Sequence, residues 1–127
     1  METILLVEDS KFLRVATERI LTKAGYRVIC AGDGDEALAL AGSRLPDLIV
    51  LDMLLPKLSG PEVLRSLKKN DLTARIPVVV LSGLSQNNGP KLVQEGADAF
   101  IEKGSLRADP GRLLAAVMAA LPRIAVP

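Results

Sequence analysis

Short apolar segments alternate with segments of helical periodicity along the whole chain. Five apolar segments predict β-strands, at residues 4–7, 26–31, 48–51, 77–81 and 99–101. The first and third of these are apolar at every position, which is typical of strands buried on both faces. Strands of this kind with helices between them favour a parallel sheet that is covered by helices on both sides.

Helices are predicted in the segments between the strands. Apolar residues recur at helical spacing before a stop at Gly25, and these are Leu13, Ala16, Ile20, Leu21 and Ala24. Two further helices begin at predicted capping boxes, Asp33 with Glu36 and Ser59 with Glu62. The last two are a weaker helix over 90–95 and a helix that Asp109 and Pro110 cap and that extends to Leu121.

Length and composition restrict the possible functions. The 127 residues are enough for one domain, which we place at residues 1–121, with 122–127 as a tail or truncated linker. Sixteen basic and fifteen acidic residues give a net charge of +1, so charge predicts neither a nucleic-acid partner nor a membrane partner. The chain contains no histidine, which excludes Ser-His-Asp catalysis, histidine-ligated zinc and a phosphohistidine carrier. The lone cysteine, Cys30, is interpreted as a small core residue. Because it can form no internal disulfide and because no targeting segment is recognisable, we predict a cytoplasmic protein.

Five side chains that can bind ligands or react lie at the ends of the predicted strands: Glu8, Asp9, Asp52, Ser82 and Lys103. The carboxyl ends of parallel strands share one edge of a doubly wound sheet, and ligands bind there. With the strand order 2-1-3-4-5, the first and third strands are neighbours, so the three acids converge. Two unit charges about 4 Å apart repel by roughly 4 kcal/mol at an effective dielectric constant near 20.

A divalent cation relieves such repulsion, and a site built only from oxygen ligands suits Mg²⁺. Together with Lys103 and the Ser82 hydroxyl, this set can accept a phosphoryl group, with Asp52 as the nucleophile that forms an acyl phosphate. Each residue alone also has a simpler interpretation: Glu8 as a solvated strand end, Asp9 or Ser10 as a helix cap, Ser82 as a turn residue, Lys103 as a surface lysine. Asp52 is harder to explain this way, because apolar residues flank it on both sides.

The ordered set of motifs resembles the receiver domain of two-component response regulators over nearly the whole chain. The matching residues are Val7-Glu8-Asp9, Asp52-Met53-Leu54-Leu55-Pro56, Gly60, Ser82-Gly83, Phe100 and Lys103. The resemblance implies a flavodoxin-like three-layer α/β fold with Asp52 as the phosphoacceptor. It also implies that Asp9, Asp52 and the carbonyl of Leu54 bind Mg²⁺, with Glu8 acting through water. Ser82 and Phe100 would form the conformational switch, and Lys103 would bind the phosphoryl group.

The same resemblance implies a signalling switch that catalyses only its own phosphorylation and dephosphorylation. Its partners would be a sensor histidine kinase or a histidine phosphotransfer protein and a downstream protein target, with the chain a monomer or weak dimer. Two positions depart from the family pattern: Gly104 replaces the usual proline after the lysine, and Phe100 lacks a tyrosine hydroxyl. In the resembled family the positions of Leu54 and Leu84 flank the path of the hydrolytic water, and because both side chains are apolar here they predict a long-lived acyl phosphate.

Two other interpretations remain open. A flavin-binding electron carrier can share this strand order, but its phosphate loop would have to be Glu8-Asp9-Ser10-Lys11, whose acids repel phosphate. A pseudo-receiver that is never phosphorylated would act as a constitutive interaction module. Gly104 favours that interpretation, whereas the acids, Ser82 and Lys103 argue against it.

Overall fold

The computed structural model describes residues 2–83 and 96–121. The strands are β1 Thr3–Val7, β2 Arg27–Ala31, β3 Leu48–Asp52, β4 Val78–Ser82 and β5 Ala99–Glu102. The helices of the described residues are α1 Lys11–Lys23, α2 Gly34–Arg44, α3 Gly60–Lys69, α4 Lys103–Ala108 and α5 Gly111–Ala120. The helix predicted over 90–95 lies outside the described residues.

The strands form one parallel sheet in the order β2-β1-β3-β4-β5. This arrangement confirms the predicted doubly wound, flavodoxin-like α/β fold. Strand β1 pairs with β2 on one side and with β3 on the other, so the chain reverses its direction of winding at β1. The carboxyl ends of β1 and β3 therefore form the topological switch point, where such sheets bind ligands.

Two apolar cores, one on each face of the sheet, hold the helices in place. Alternate residues of a strand point to opposite faces, so Leu5 and Val7 of β1 enter one core and Ile4 and Leu6 enter the other. Helices α2 and α3 cover the first core, and α1 and α5 cover the second. Because residues 4–7 of β1 and 48–51 of β3 are apolar and buried, the acids lie only at the carboxyl ends of these strands.

The structure corrects three local predictions. A helix, α4, begins directly at Lys103, where the sequence analysis predicted no helix. Because α4 continues to Ala108, Asp109 ends this helix, and its amide donates to the carbonyl of Ser105 at 2.8 Å. Asp109 therefore does not cap α5, which begins after Pro110 without a side-chain cap.

The third correction concerns α2, whose predicted capping box is only half formed. Asp33 accepts from the amide of Glu36 as predicted, but Glu36 accepts from Gly32 one residue before the cap. At α3 both halves of the Ser59–Glu62 box are present. None of the helices in the described ranges reaches the length and hydrophobicity that a membrane span requires.

Candidate functional site

The three predicted acids meet at the switch point. Glu8 and Asp9 directly follow β1, and Asp52 is the last residue of the neighbouring strand β3. One carboxylate oxygen from each of the three lies within 4.8 Å of the other two. Glu8 is 1% exposed and Asp52 0% exposed, whereas Asp9 faces solvent. The interpretation of Glu8 as a solvated strand end is therefore wrong.

Backbone amides two residues further along the chain hold both buried carboxylates. The Leu54 amide donates to Oδ1 of Asp52 at 3.1 Å, and the Ser10 amide donates to Oε2 of Glu8 at 3.2 Å. Each loop therefore turns back on its own acid, which partly compensates the cost of burying a charge. Ser10, and not Asp9, is the N-cap of α1, so the Asp9 carboxylate is free of that role.

Lys103 directly follows the edge strand β5 and contacts the acids across the carboxyl ends of the strands. Its Nζ lies 2.7 Å from Oδ2 of Asp52 and 3.2 Å from Oε1 of Glu8, and its side chain is only 16% exposed. Burial alone would lower the pKa of Lys103, but the hydrogen bond to Asp52 and the charges of both acids outweigh burial and raise it. Lys103 is therefore a fixed positive charge beside Asp52, and not the solvated lysine of the simpler interpretation.

Glu8 has an incompletely satisfied carboxylate. Burial, followed by the proximity of Asp52, raises its pKa to about 7. Its Oε1 is buried and accepts no hydrogen bond from the described residues, although the Lys103 ammonium lies 3.2 Å away. One lysine thus leaves excess negative charge among Glu8, Asp9 and Asp52. An oxygen-only set with spare acceptor capacity fits a hard divalent cation such as Mg²⁺.

The predicted switch residues lie on the adjacent strands. Ser82 ends β4 one position beyond Leu81, which pairs with Asp52, so it lies at the same edge as the acids. Phe100 lies opposite Val80 inside β5 and packs, half-buried, against the core on the α2 and α3 face. Phe100 is therefore near the site through the sheet but is not part of the acid cluster.

The loop between β3 and α3 is fixed by close backbone contact. A Cβ added at the buried Gly60 would lie 2.5 Å from Cα of Met53 and 2.7 Å from the carbonyl oxygen of Asp52. The Gly60 amide also donates to the Met53 carbonyl at 3.2 Å. Only glycine permits this approach, which explains the glycine eight residues after Asp52. Leu54, in the same loop, is 62% exposed beside the acids.

Comparison with known proteins decides the family. The sequence profile of the response regulator receiver domain matches residues 4–118. The chain belongs to this family. The polar-differentiation response regulator DivK of Brucella anthropi is 32% identical over 103 residues, which are 80% of this chain and 84% of DivK. The transcriptional regulatory protein AfsQ1 of Streptomyces coelicolor is 37% identical over 106 residues, or 81% of this receiver chain.

This receiver chain spans only 45% of AfsQ1, so that relative is more than twice as long as the matched region. Two solved structures agree with the fold. Vibrio cholerae chemotaxis protein CheY4 superposes with a TM-score of 0.83 at 30% identity, covering 95% of this chain and 99% of CheY4. Response regulator Rcp1 in its Mn²⁺-bound form gives 0.78 at 28% identity, covering 100% of this chain and 99% of Rcp1.

Sequence reasoning missed a residue next to the site. The guanidinium of Arg14, one turn into α1, donates to the backbone carbonyl of Glu8 at 3.0 Å. The pattern that could have indicated this role is a basic residue between Leu13 and Thr17, two positions of α1 that face the core. It was weak, because a long basic side chain on a helix is usually explained by solvent exposure of its head group.

Proposed function

We propose that this receiver domain accepts a phosphoryl group on Asp52 in a Mg²⁺-dependent reaction. The donor is the phosphohistidine of a sensor histidine kinase or a histidine phosphotransfer protein. The observation that supports this most is a fully buried Asp52 carboxylate, between the Leu54 amide and the Lys103 ammonium, with two more acids alongside. A purely structural aspartate would not need so costly a surrounding.

The proposed step is a displacement at phosphorus. A carboxylate oxygen of Asp52 attacks, an O–P bond forms, and the P–N bond to the donor imidazole breaks, leaving a neutral histidine after protonation. Lys103, 2.7 Å from Asp52, is in reach of the transferred oxygens and offsets their charge. The reaction modifies the protein itself, so the domain acts as a signalling switch and not as a metabolic enzyme.

Asp9, Asp52 and the backbone carbonyl of Leu54 would hold Mg²⁺, with Glu8 contacting it through water. When bound, the cation neutralises the acid cluster and the incoming phosphoryl oxygens. Ser82 is the last residue of the neighbouring strand β4 and would donate its hydroxyl to the new phosphoryl group. Phe100 would then move towards the space that Ser82 leaves. Because its ring carries no hydroxyl, packing and not a hydrogen bond would hold it there.

This movement would change the face around β5 and α5, where we place the contact with a downstream protein target. That face also includes the helix predicted over 90–95, which lies outside the described residues. We take residues 1–121 as the functional receiver and 122–127 as a tail or linker. A net charge of +1 favours protein partners over nucleic acid for this segment, acting as a monomer or weak dimer.

Acetyl phosphate with Mg²⁺, followed by intact mass measurement, tests the assignment. We expect the mass of one phosphoryl group to be added, and to be absent in Asp52→Asn and in EDTA. Asp71→Asn, at an exposed acid in the turn after α3, is the matched control and should be phosphorylated normally. Full phosphorylation of Asp52→Asn would contradict the acceptor, and an unmodified wild type would favour the pseudo-receiver.

A further inference from the structure

The β1–β2 ladder ends at the point where the acidic loop begins. The last backbone bond between these strands runs from the Glu8 amide to the Ala31 carbonyl, at 3.0 Å. The next acceptor of the ladder, the Glu8 carbonyl, receives a side chain in place of a strand amide. The Glu8 carbonyl accepts from Nη1 of Arg14 at 3.0 Å, and the Gly32 amide donates to Oε1 of Glu36 at 2.7 Å.

A side chain from α1 therefore substitutes for the ladder where the two strands separate, and a side chain from α2 accepts from the adjacent Gly32 amide, which points away from β1. Both end near Gly32: a Cβ built there would lie 3.8 Å from Nη1 of Arg14 and 3.9 Å from Oε1 of Glu36. A buried carbonyl without a partner is costly, so a donor at this position stabilises the separated geometry. The separation in turn allows Glu8 and Asp9 to leave the sheet and face Asp52.

The Glu8 carbonyl belongs to the peptide unit that joins the two acids. Its orientation sets the position of the Asp9 backbone relative to Glu8. Arg14 is itself held in the first turns of α1, where its amide donates to the Ser10 carbonyl at 2.8 Å. The helix capped by Ser10 thus returns a side chain to the residue two positions before its cap.

We infer that Arg14 is a positioning residue for the cation site: through the Glu8 carbonyl it fixes the peptide unit between Glu8 and Asp9. The inference rests on the proposed function in that it assigns these acids to Mg²⁺. The Arg14 guanidinium donates to the backbone carbonyl of Glu8 and not to its carboxylate, so it acts through the backbone and not as a ligand.

Replacing Arg14 by methionine or lysine separates packing from hydrogen bonding. Arg14→Met keeps an unbranched stem but removes every side-chain N–H donor, whereas Arg14→Lys keeps the charge and an ammonium donor group. Arg19→Met, at an exposed arginine on the same helix, is the matched control. Mg²⁺ affinity is measured by calorimetric titration, alongside urea denaturation to confirm that each variant is folded.

We expect Mg²⁺ binding about 10-fold weaker in Arg14→Met, as for other residues that orient metal ligands, and within about 3-fold of wild type in Arg14→Lys and Arg19→Met. In the metal-free protein, the Glu8 carbonyl carbon and the Asp9 amide should shift by NMR in Arg14→Met and largely return in Arg14→Lys.

Wild-type affinity in folded Arg14→Met, or equal loss in the lysine and methionine variants, would overturn the inference. So would unchanged Glu8 and Asp9 resonances in metal-free Arg14→Met. If the wild type binds no Mg²⁺, the proposed function fails instead, and the metal-free resonances still decide the role of Arg14.

Discussion

The carboxyl edge of the sheet has two halves that are held in different ways. The acid half lies at the ends of β1 and β3, and the lysine half lies at the ends of β4 and β5. At the ends of β1 and β3, Glu8 and Asp52 are buried and receive backbone amides from Ser10 and Leu54, two residues away in the same loops. At the ends of β4 and β5, Lys103 holds the acids through ion pairs, and it is 51 residues from Asp52 in sequence.

The comparison indicates a division of roles. Local backbone bonds hold the buried acids, so this half suits cation and phosphoryl chemistry. The lysine half depends on charge across the edge, and Ser82 there is followed by the exposed Gly83, which has no side chain to repack. A change in charge on Asp52 should therefore move the second half more than the first.

Removing the lysine should have the largest effect, because it leaves two buried acids without their cation. At about pH 8 in EDTA, Lys103→Met should lower the free energy of unfolding by roughly 3 kcal/mol, measured by urea denaturation. The control, Lys57→Met, removes an ion pair to Asp33 in which the lysine side chain is 64% exposed, and should cost less than about 1 kcal/mol. Equal losses would show that Lys103 is an ordinary surface lysine.

Crowding the acid half should be nearly as harmful. Gly60→Ala places a methyl group 2.5 Å from the Met53 backbone, and overpacking of this kind costs about 1–3 kcal/mol. Gly42→Ala is the opposite case, since nothing lies within 4 Å of its added Cβ, and should stabilise α2 by roughly 0.5–1 kcal/mol. Thermal unfolding of both variants measures the difference. A neutral Gly60→Ala would mean that this loop is not held by close contact.

The pKa of Glu8 predicts a pH dependence of metal-free stability. Burial raises this pKa from 4.5 to about 7, so between these values the folded chain holds a proton that the unfolded chain has lost. This contribution to stability is complete below pH 4.5 and is lost as the pH rises towards 7, by on the order of 3 kcal/mol at most. Glu8→Gln should flatten the difference between pH 5 and pH 8. Identical pH profiles would contradict the raised pKa.

The sequence predicts which acids meet at the site better than it predicts their burial or their contacts with Lys103. Continuous apolar strands and residues at their carboxyl ends predict the fold and the meeting of Glu8, Asp9 and Asp52, because topology alone brings them together. Topology does not specify how deeply Glu8 is buried or that Lys103 contacts both acids, since those depend on side-chain packing.

The start of α4 was missed for a local reason. Gly104 and Ser105 are typical of loops, and six residues are too few to show helical periodicity. A proline at 104 would disfavour helical geometry at Lys103, so the departure from the family pattern and the helix are consistent with each other. The Asp109 cap was wrong because this missed helix uses Asp109 as its end.

The smallest expected effect is on the lifetime of the acyl phosphate. Leu54 is exposed beside Asp52 and cannot orient a water molecule, whereas an amide at this position can. Leu84, the second leucine of this prediction, lies outside the described residues. Leu54→Asn should shorten the half-life by roughly 3- to 10-fold, equivalent to about one hydrogen bond, as followed by loss of the added mass. Leu72→Asn, at an exposed leucine in the turn after α3, should leave it unchanged. An equal or longer half-life in Leu54→Asn would contradict this role.

NMR with beryllofluoride and Mg²⁺ tests the division of roles most directly, because beryllofluoride occupies the place of the phosphoryl group. We expect amide shifts at Asp9 and Asp52, where it binds, and further shifts at Gly83 and over 99–103. In Ser82→Ala the first group should remain and the second should be lost, because the hydroxyl that connects the halves is gone. Wild-type shifts confined to the residues around Asp9 and Asp52, or remote shifts that persist in Ser82→Ala, would contradict the account.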